Sequence, residues 1–172
     1  LEPAIEANDS RAIIRIVTQN FEKGNKRFVQ SAYLIGRHFL RLREYVEARD
    51  WFRKAALRNP KFDLYGHRID EMIELCNDLL LAEADTMFRT GDYLGAREHY
   101  AALSHGLDRA EERRCASFLR MACVYCRLKD YKAADQALLQ ALEHGHETAL
   151  ALPLVDLVQK LAAQTGADGE AL

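Results

Sequence analysis

Cys123-Val124-Tyr125-Cys126, with Cys115 upstream, comes closest in this sequence to a metal or redox centre. Structural zinc needs four converging ligands, usually supplied as two such pairs. Cys115 and Cys123 lie eight residues apart on a stretch of helical periodicity, about 12 Å along its axis, so they cannot share one ion. His144 and His146 fall beyond the next turn signal, and the strand–loop–helix context of a thioredoxin-like dithiol is missing. Small, apolar cysteine packing between helices is therefore the expectation, with no metal and no cofactor. Glu143 and His146 make a single Glu-x-x-His pattern. Di-iron bundles need two of these on separate helices, and Gly145 interrupts this one, so a solvated helix end is expected. Phosphate-binding Gly-Lys-Ser/Thr loops, dinucleotide glycine signatures, zinc-protease His pairs and nucleophile elbows do not occur in the sequence. Nothing points to an enzyme.

The elements that carry these residues repeat. Leu42-Arg43-Glu44-Tyr45-Val46-Glu47-Ala48 aligns with Thr90-Gly91-Asp92-Tyr93-Leu94-Gly95-Ala96 and with Leu128-Lys129-Asp130-Tyr131-Lys132-Ala133-Ala134. In each copy a large apolar residue (Phe52, Tyr100, Leu138) follows the Ala by four positions. Helical periodicity predicts hairpins over 26–42 with 45–58 and over 109–128 with 131–143. A long helix is expected over Asp70–Arg89, then a partner ending near Ser104. Gly36, Ala84 and Ala122 on the first helices, and Ala48, Ala96 and Ala134 on the second, supply the small residues that let paired helices approach closely. Asn8-Asp9-Ser10 caps an N-terminal helix over 10–24 bearing Ile13, Ile16, Val17 and Phe21. Leu150, Leu154, Leu157, Val158 and Leu161 mark a C-terminal capping helix over 150–163. Tyr45, Tyr93 and Tyr131 are separated by 48 and 38 residues. The excess in the first interval falls in 61–80, read as an elongated helix or a short extra one. The smaller excess falls near His105.

The first copy resembles a tetratricopeptide repeat over its full length through Ala32, Ile35-Gly36, Phe39, Ala48, Phe52 and Pro60. Leu80, Glu83-Ala84, Met87, Ala96 and Tyr100 carry the likeness in the second copy. Phe118, Met121-Ala122, Tyr125, Ala134, Leu138 and Ala141 carry it in the third. Glu83 departs from the pattern, standing where an apolar residue is expected, so its helix is expected to be rotated or extended. The resemblance implies an all-α fold, a right-handed superhelical stack of antiparallel hairpins (an α-solenoid) with repeats at 29–62, 77–110 and 115–148 and a capping helix at each end. It also implies a concave groove lined by first helices. The groove positions are Tyr33, Arg37, Leu40 and Arg41 in repeat one, Leu81, Asp85, Phe88 and Arg89 in repeat two, and Leu119, Cys123 and Arg127 in repeat three. Arg41, Arg89 and Arg127 are equivalent, and read either as a ladder for carboxylates or as helix-dipole partners. Family members that clamp a chaperone's C-terminal carboxylate have basic and amide residues at sites matching Tyr33, Arg37, Ala82, Ala116 and Arg120. Only Arg120 agrees, so that clamp is expected to be absent.

The 172 residues make one domain with a continuous core. A net charge of −2 argues against nucleic acid, which calls for a basic surface. No 18-residue apolar run is present, so no membrane insertion is expected. Four cysteines do not form a disulfide framework, and a cytoplasmic location follows as the expectation. The chain begins at Leu1 rather than Met, which suits a piece of a longer protein. The expected function is a non-catalytic protein-interaction module or assembly scaffold. Its partner would be a protein or peptide segment, acidic with apolar anchors, and self-association stays open. The alternatives are a dedicated chaperone for one client and a targeting or regulatory domain of a larger enzyme. A helical-repeat RNA binder is disfavoured, since three repeats read few bases.

Overall fold

The computed structural model describes residues 10–22, 28–64, 66–105 and 111–144. Among them are seven helices and one two-stranded hairpin. The helices are α1 (Ser10–Glu22), α2 (Phe28–Arg41), α3 (Tyr45–Ala56), α4 (Ile69–Thr90), α5 (Tyr93–His105), α6 (Glu111–Arg127) and α7 (Tyr131–His144). β1 (Asp63–Leu64) and β2 (His67–Arg68) pair antiparallel between α3 and α4. The protein is mostly helical, and successive helices pack together in pairs: α1 on α2, α2 on α3, α5 on α6 and α6 on α7. Two compact units divide the chain, residues 1–79 and 80–172, with the boundary inside α4. The expected helix over 150–163 lies outside the described residues, as do 106–110 and His146.

The N-terminal unit has its core where the apolar stripes of α2, α3 and α4 meet. Ala32, Tyr33, Ile35, Ala48, Phe52, Ala55, Ile69 and Cys76 are all fully buried there. Gly36 sets the closeness of α2 and α3. A Cβ at this position would lie 2.7 Å from Phe52 Cε1, inside any ordinary contact distance. The β-hairpin is the first departure from an all-α chain. The Ile69 N–H donates to the Phe62 carbonyl at 3.0 Å and the Gly66 N–H to Asp63 Oδ1 at 3.0 Å, with Gly66 at φ +77°. Glu71 reaches back to accept from the Arg68 N–H at 3.3 Å, satisfying one of the donors that begin α4. The 22-residue α4 is the elongated helix expected over 61–80, and the hairpin takes up the rest of that interval.

Buried inside the same unit is a polar pair. Arg49 on α3 and Asn77 on α4 are each 3% exposed, and Arg49 Nη1 donates to Asn77 Oδ1 at 3.2 Å. Burial pulls the Arg49 guanidinium below its ordinary value, Arg53 adds to that pull, and Asp50 opposes it. His38 is also buried, and its imidazole is pushed down by burial and by Arg41.

In the C-terminal unit Ala84, Ala96 and Ala134 are fully buried and Ala122 nearly so. Ala122 packs with Ala134, Ala137 and Leu138 between α6 and α7, while Cys115, Phe118 and Ala141 form a second cluster along the same pair.

The three hairpin turns share one hydrogen-bond pattern. Arg43, Gly91 and Lys129 each donate to a carbonyl three residues back (Leu40, Phe88, Cys126). Glu44, Asp92 and Asp130 donate to one five residues back (Phe39, Met87, Tyr125). This is the Schellman ending of a helix, which places its first residue beyond the helix in the left-handed region. The φ values there are +63°, +89° and +61°. Asp92 and Asp130 then cap the next helix, accepting from the N–H groups of Gly95 and Ala133. Only the second copy has glycine at the left-handed position, and an L-residue there costs about 1–2 kcal/mol. Lys129→Gly and Arg43→Gly are therefore expected to raise stability by roughly 0.5–1 kcal/mol each, the unfolded-chain entropy of glycine offsetting part of the relief. Gly91→Ala should lose about 1 kcal/mol. Urea unfolding at unchanged slope reads all three, and a lower midpoint for Lys129→Gly would count against the shared turn.

Candidate partner-binding face

Asp85 organises the expected groove side of the C-terminal unit. It projects from α4, and its Oδ1 accepts from the Tyr100 hydroxyl on α5 at 2.6 Å. Arg120 Nε on α6 lies 3.3 Å from the same oxygen. One carboxylate thereby ties three helices together, in a setting where the Tyr100 ring is buried and the Arg120 and Asp85 side chains are about 40% exposed. Burial raises the Tyr100 phenol well above its ordinary value, and donation to Asp85 raises it further. The Asp85–Arg120 pair is too exposed to hold the fold by itself, since exposed pairs give about 0–1 kcal/mol. Its geometric effect is to hold α4 and α6 together at Asp85 and Arg120. The sequence does not pair Asp85 with Tyr100 or Arg120, because the three lie on different helices.

Of the other expected groove residues in this unit, Leu81 and Phe88 are half-buried, and Phe88 meets Tyr93 edge-on with ring centroids 5.5 Å apart. Leu119 is half-buried and packs into both α6–α7 clusters. Cys123 and Arg127 are exposed. Arg89 is exposed but folds back on its own helix, Nε donating to the Asp85 carbonyl at 3.2 Å and Nη2 to Thr86 Oγ1 at 3.3 Å. That posture at the end of α4 fits the dipole reading of Arg89. Glu83 stands 3.3 Å from His99 Nε2, and His99 Nδ1 donates to the Gly95 carbonyl at 3.0 Å. The polar residue in the apolar register is thus answered by a polar partner on α5.

In the N-terminal unit Tyr33 requires a correction. It is fully buried rather than groove-lining, with its ring edge-on to Phe52 at 5.3 Å and to Phe62 at 5.6 Å, and its hydroxyl donates to the His67 carbonyl at 3.2 Å. The β-hairpin covers this position and turns a surface aromatic into a core one. Burial raises its phenol, partly opposed by Arg37. Leu40 is half-buried against the same core, Arg37 is half-buried and Arg41 is exposed.

The cysteines separate into two kinds. Cys76 and Cys115 are buried in helix packing, and burial pushes the Cys76 thiol up to about 12. Cys126 is half-buried and Cys123 is exposed, so the packing expectation for Cys115, Cys123 and Cys126 does not hold at Cys123. Glu143 is exposed and accepts from Gln140 Nε2 at 3.0 Å. Among the described residues no three or more His, Cys, Asp or Glu side chains converge as a metal site, and no helix is long and apolar enough to cross a membrane. Comparison with protein-family models and with curated proteins finds no match for this chain.

Proposed function

We propose that the chain is a non-catalytic protein-interaction module of the tetratricopeptide type, an assembly scaffold whose hairpins stack as a right-handed superhelix. The observation that carries this reading is the threefold Schellman turn at Arg43, Gly91 and Lys129, in register with buried Ala48, Ala96 and Ala134. Such scaffolds act by presenting a surface assembled from successive repeats rather than a catalytic pocket. The face around Asp85 suits a partner segment that sets an apolar side chain against Phe88 and Leu81 and a carboxylate against Arg127. Tyr33 takes no part, and Arg89 contributes less than its position implies.

A photo-crosslinking residue at Phe88 should capture the native partner of the full chain, whereas the same residue at Leu139, exposed on α7, should not. Arg120→Glu with Arg127→Glu should weaken binding by about 2–5 kcal/mol through like-charge repulsion. Equal capture from Leu139, or binding indifferent to the double reversal, would remove this face from the proposal.

A further inference from the structure

We propose that Cys123 and Cys126 form a two-thiolate site for one soft, two-coordinate cation of the Cu(I) type, charge-balanced by Arg120 and Arg127. The two cysteines are neighbours on one face of α6, three residues apart, with Cys123 exposed and Cys126 half-buried. Residues at this spacing on an intact helix hold their Cβ atoms about 5–6 Å apart. A disulfide requires about 3.5–4.5 Å. Direct S–S closure would therefore distort the last turn of α6, where the Tyr125 and Cys126 carbonyls accept the hydrogen bonds that form the Asp130 turn. A single bridging ion inserts a second bond into the path between the sulfurs and spans the gap with the helix intact.

The chemistry selects the ion. Thiolates favour Cu(I), zinc and iron–sulfur clusters, but structural zinc takes four ligands, and among the described residues no third metal-binding side chain converges here. Two-coordinate Cu(I) needs only the pair. Two thiols lose two protons and bind Cu(I) without change of oxidation state, leaving a complex of net charge −1. Arg120 precedes Cys123 by three residues and Arg127 follows it by four, so both lie on its face of the helix and bring positive charge to it. Each thiol must give up its proton to bind the ion, so binding tightens as pH rises.

Anaerobic titration of the reduced full chain with Cu(I), against the chelator bathocuproine disulfonate, tests the site. One ion per chain should be retained by the wild type and by Cys76→Ser, and lost from Cys123→Ser and from Cys126→Ser with helicity unchanged. Arg127→Glu should weaken retention by about tenfold, the scale of an outer-shell change, and affinity should rise between about pH 6 and pH 8. The proposal is overturned if the wild type and the Cys123→Ser, Cys126→Ser double variant release Cu(I) at the same chelator concentration, or if Zn(II) is held in preference.

Discussion

Gly36→Ala is expected to destabilise the N-terminal unit by about 1–3 kcal/mol, the range for overpacking a filled core. Helix propensity alone argues the other way, since alanine exceeds glycine by roughly 0.8–1 kcal/mol in a helix interior. The clash decides the sign. The added methyl would meet three atoms of the Phe52 ring at 2.7–2.9 Å. That ring is fully buried and held edge-on by Tyr33, whose hydroxyl is itself anchored to the β-hairpin. Neither ring can withdraw without disturbing the other. Phe52→Leu in the Gly36→Ala background should recover part of the loss by making room at the crossing, although Phe52→Leu alone is destabilising. Urea unfolding of the four proteins measures this coupling. A Gly36→Ala protein more stable than wild type would show that α2 and α3 do not cross at this point.

What the sequence revealed, and what it hid, follows from the range of the interactions involved. The hairpin register was legible because it is written locally and three times. A small residue at the crossing, a polar turn and an apolar residue one helical turn later each have a short-range cause. The left-handed turn residue was less visible, since Arg43 and Lys129 occupy positions where glycine is the usual signal. The β-hairpin left almost no trace. Strands of two residues are too short for alternation to register, and Gly66 was the only sign of a turn in that interval.

That omission carried through to the site. Tyr33 falls at an expected groove position, yet the β-hairpin and Phe62 cover it. Asp85 is an expected groove residue, and its bonds to Tyr100 and Arg120 join three helices. Contacts of that range follow from tertiary packing, which no periodicity encodes. Glu83 was recognisable as a departure from pattern, and what answers it, His99, lies on the following helix.

The Arg49–Asn77 pair gives the second large expected effect, and its signature is non-additivity. Asn77→Leu removes a buried acceptor from a charged donor, a loss of about 1.5–3 kcal/mol. Among the described residues Asn77 Nδ2 is buried without a hydrogen-bond partner, so removing the amide also relieves a penalty. The loss should nevertheless win, because stranding part of a guanidinium 3% exposed costs more than stranding a neutral amide. In the double variant Arg49→Met, Asn77→Leu both polar groups give way to apolar side chains of similar length. Replacing a buried polar pair in this manner is often neutral or stabilising, so the double variant should unfold at a higher urea concentration than Asn77→Leu alone. A coupling of about 1–3 kcal/mol is expected for residues in direct contact. If the two single effects simply add, the bond at 3.2 Å is not what retains a charge between α3 and α4. Arg49 would then owe its place to its other contacts and to the packing of its aliphatic stem.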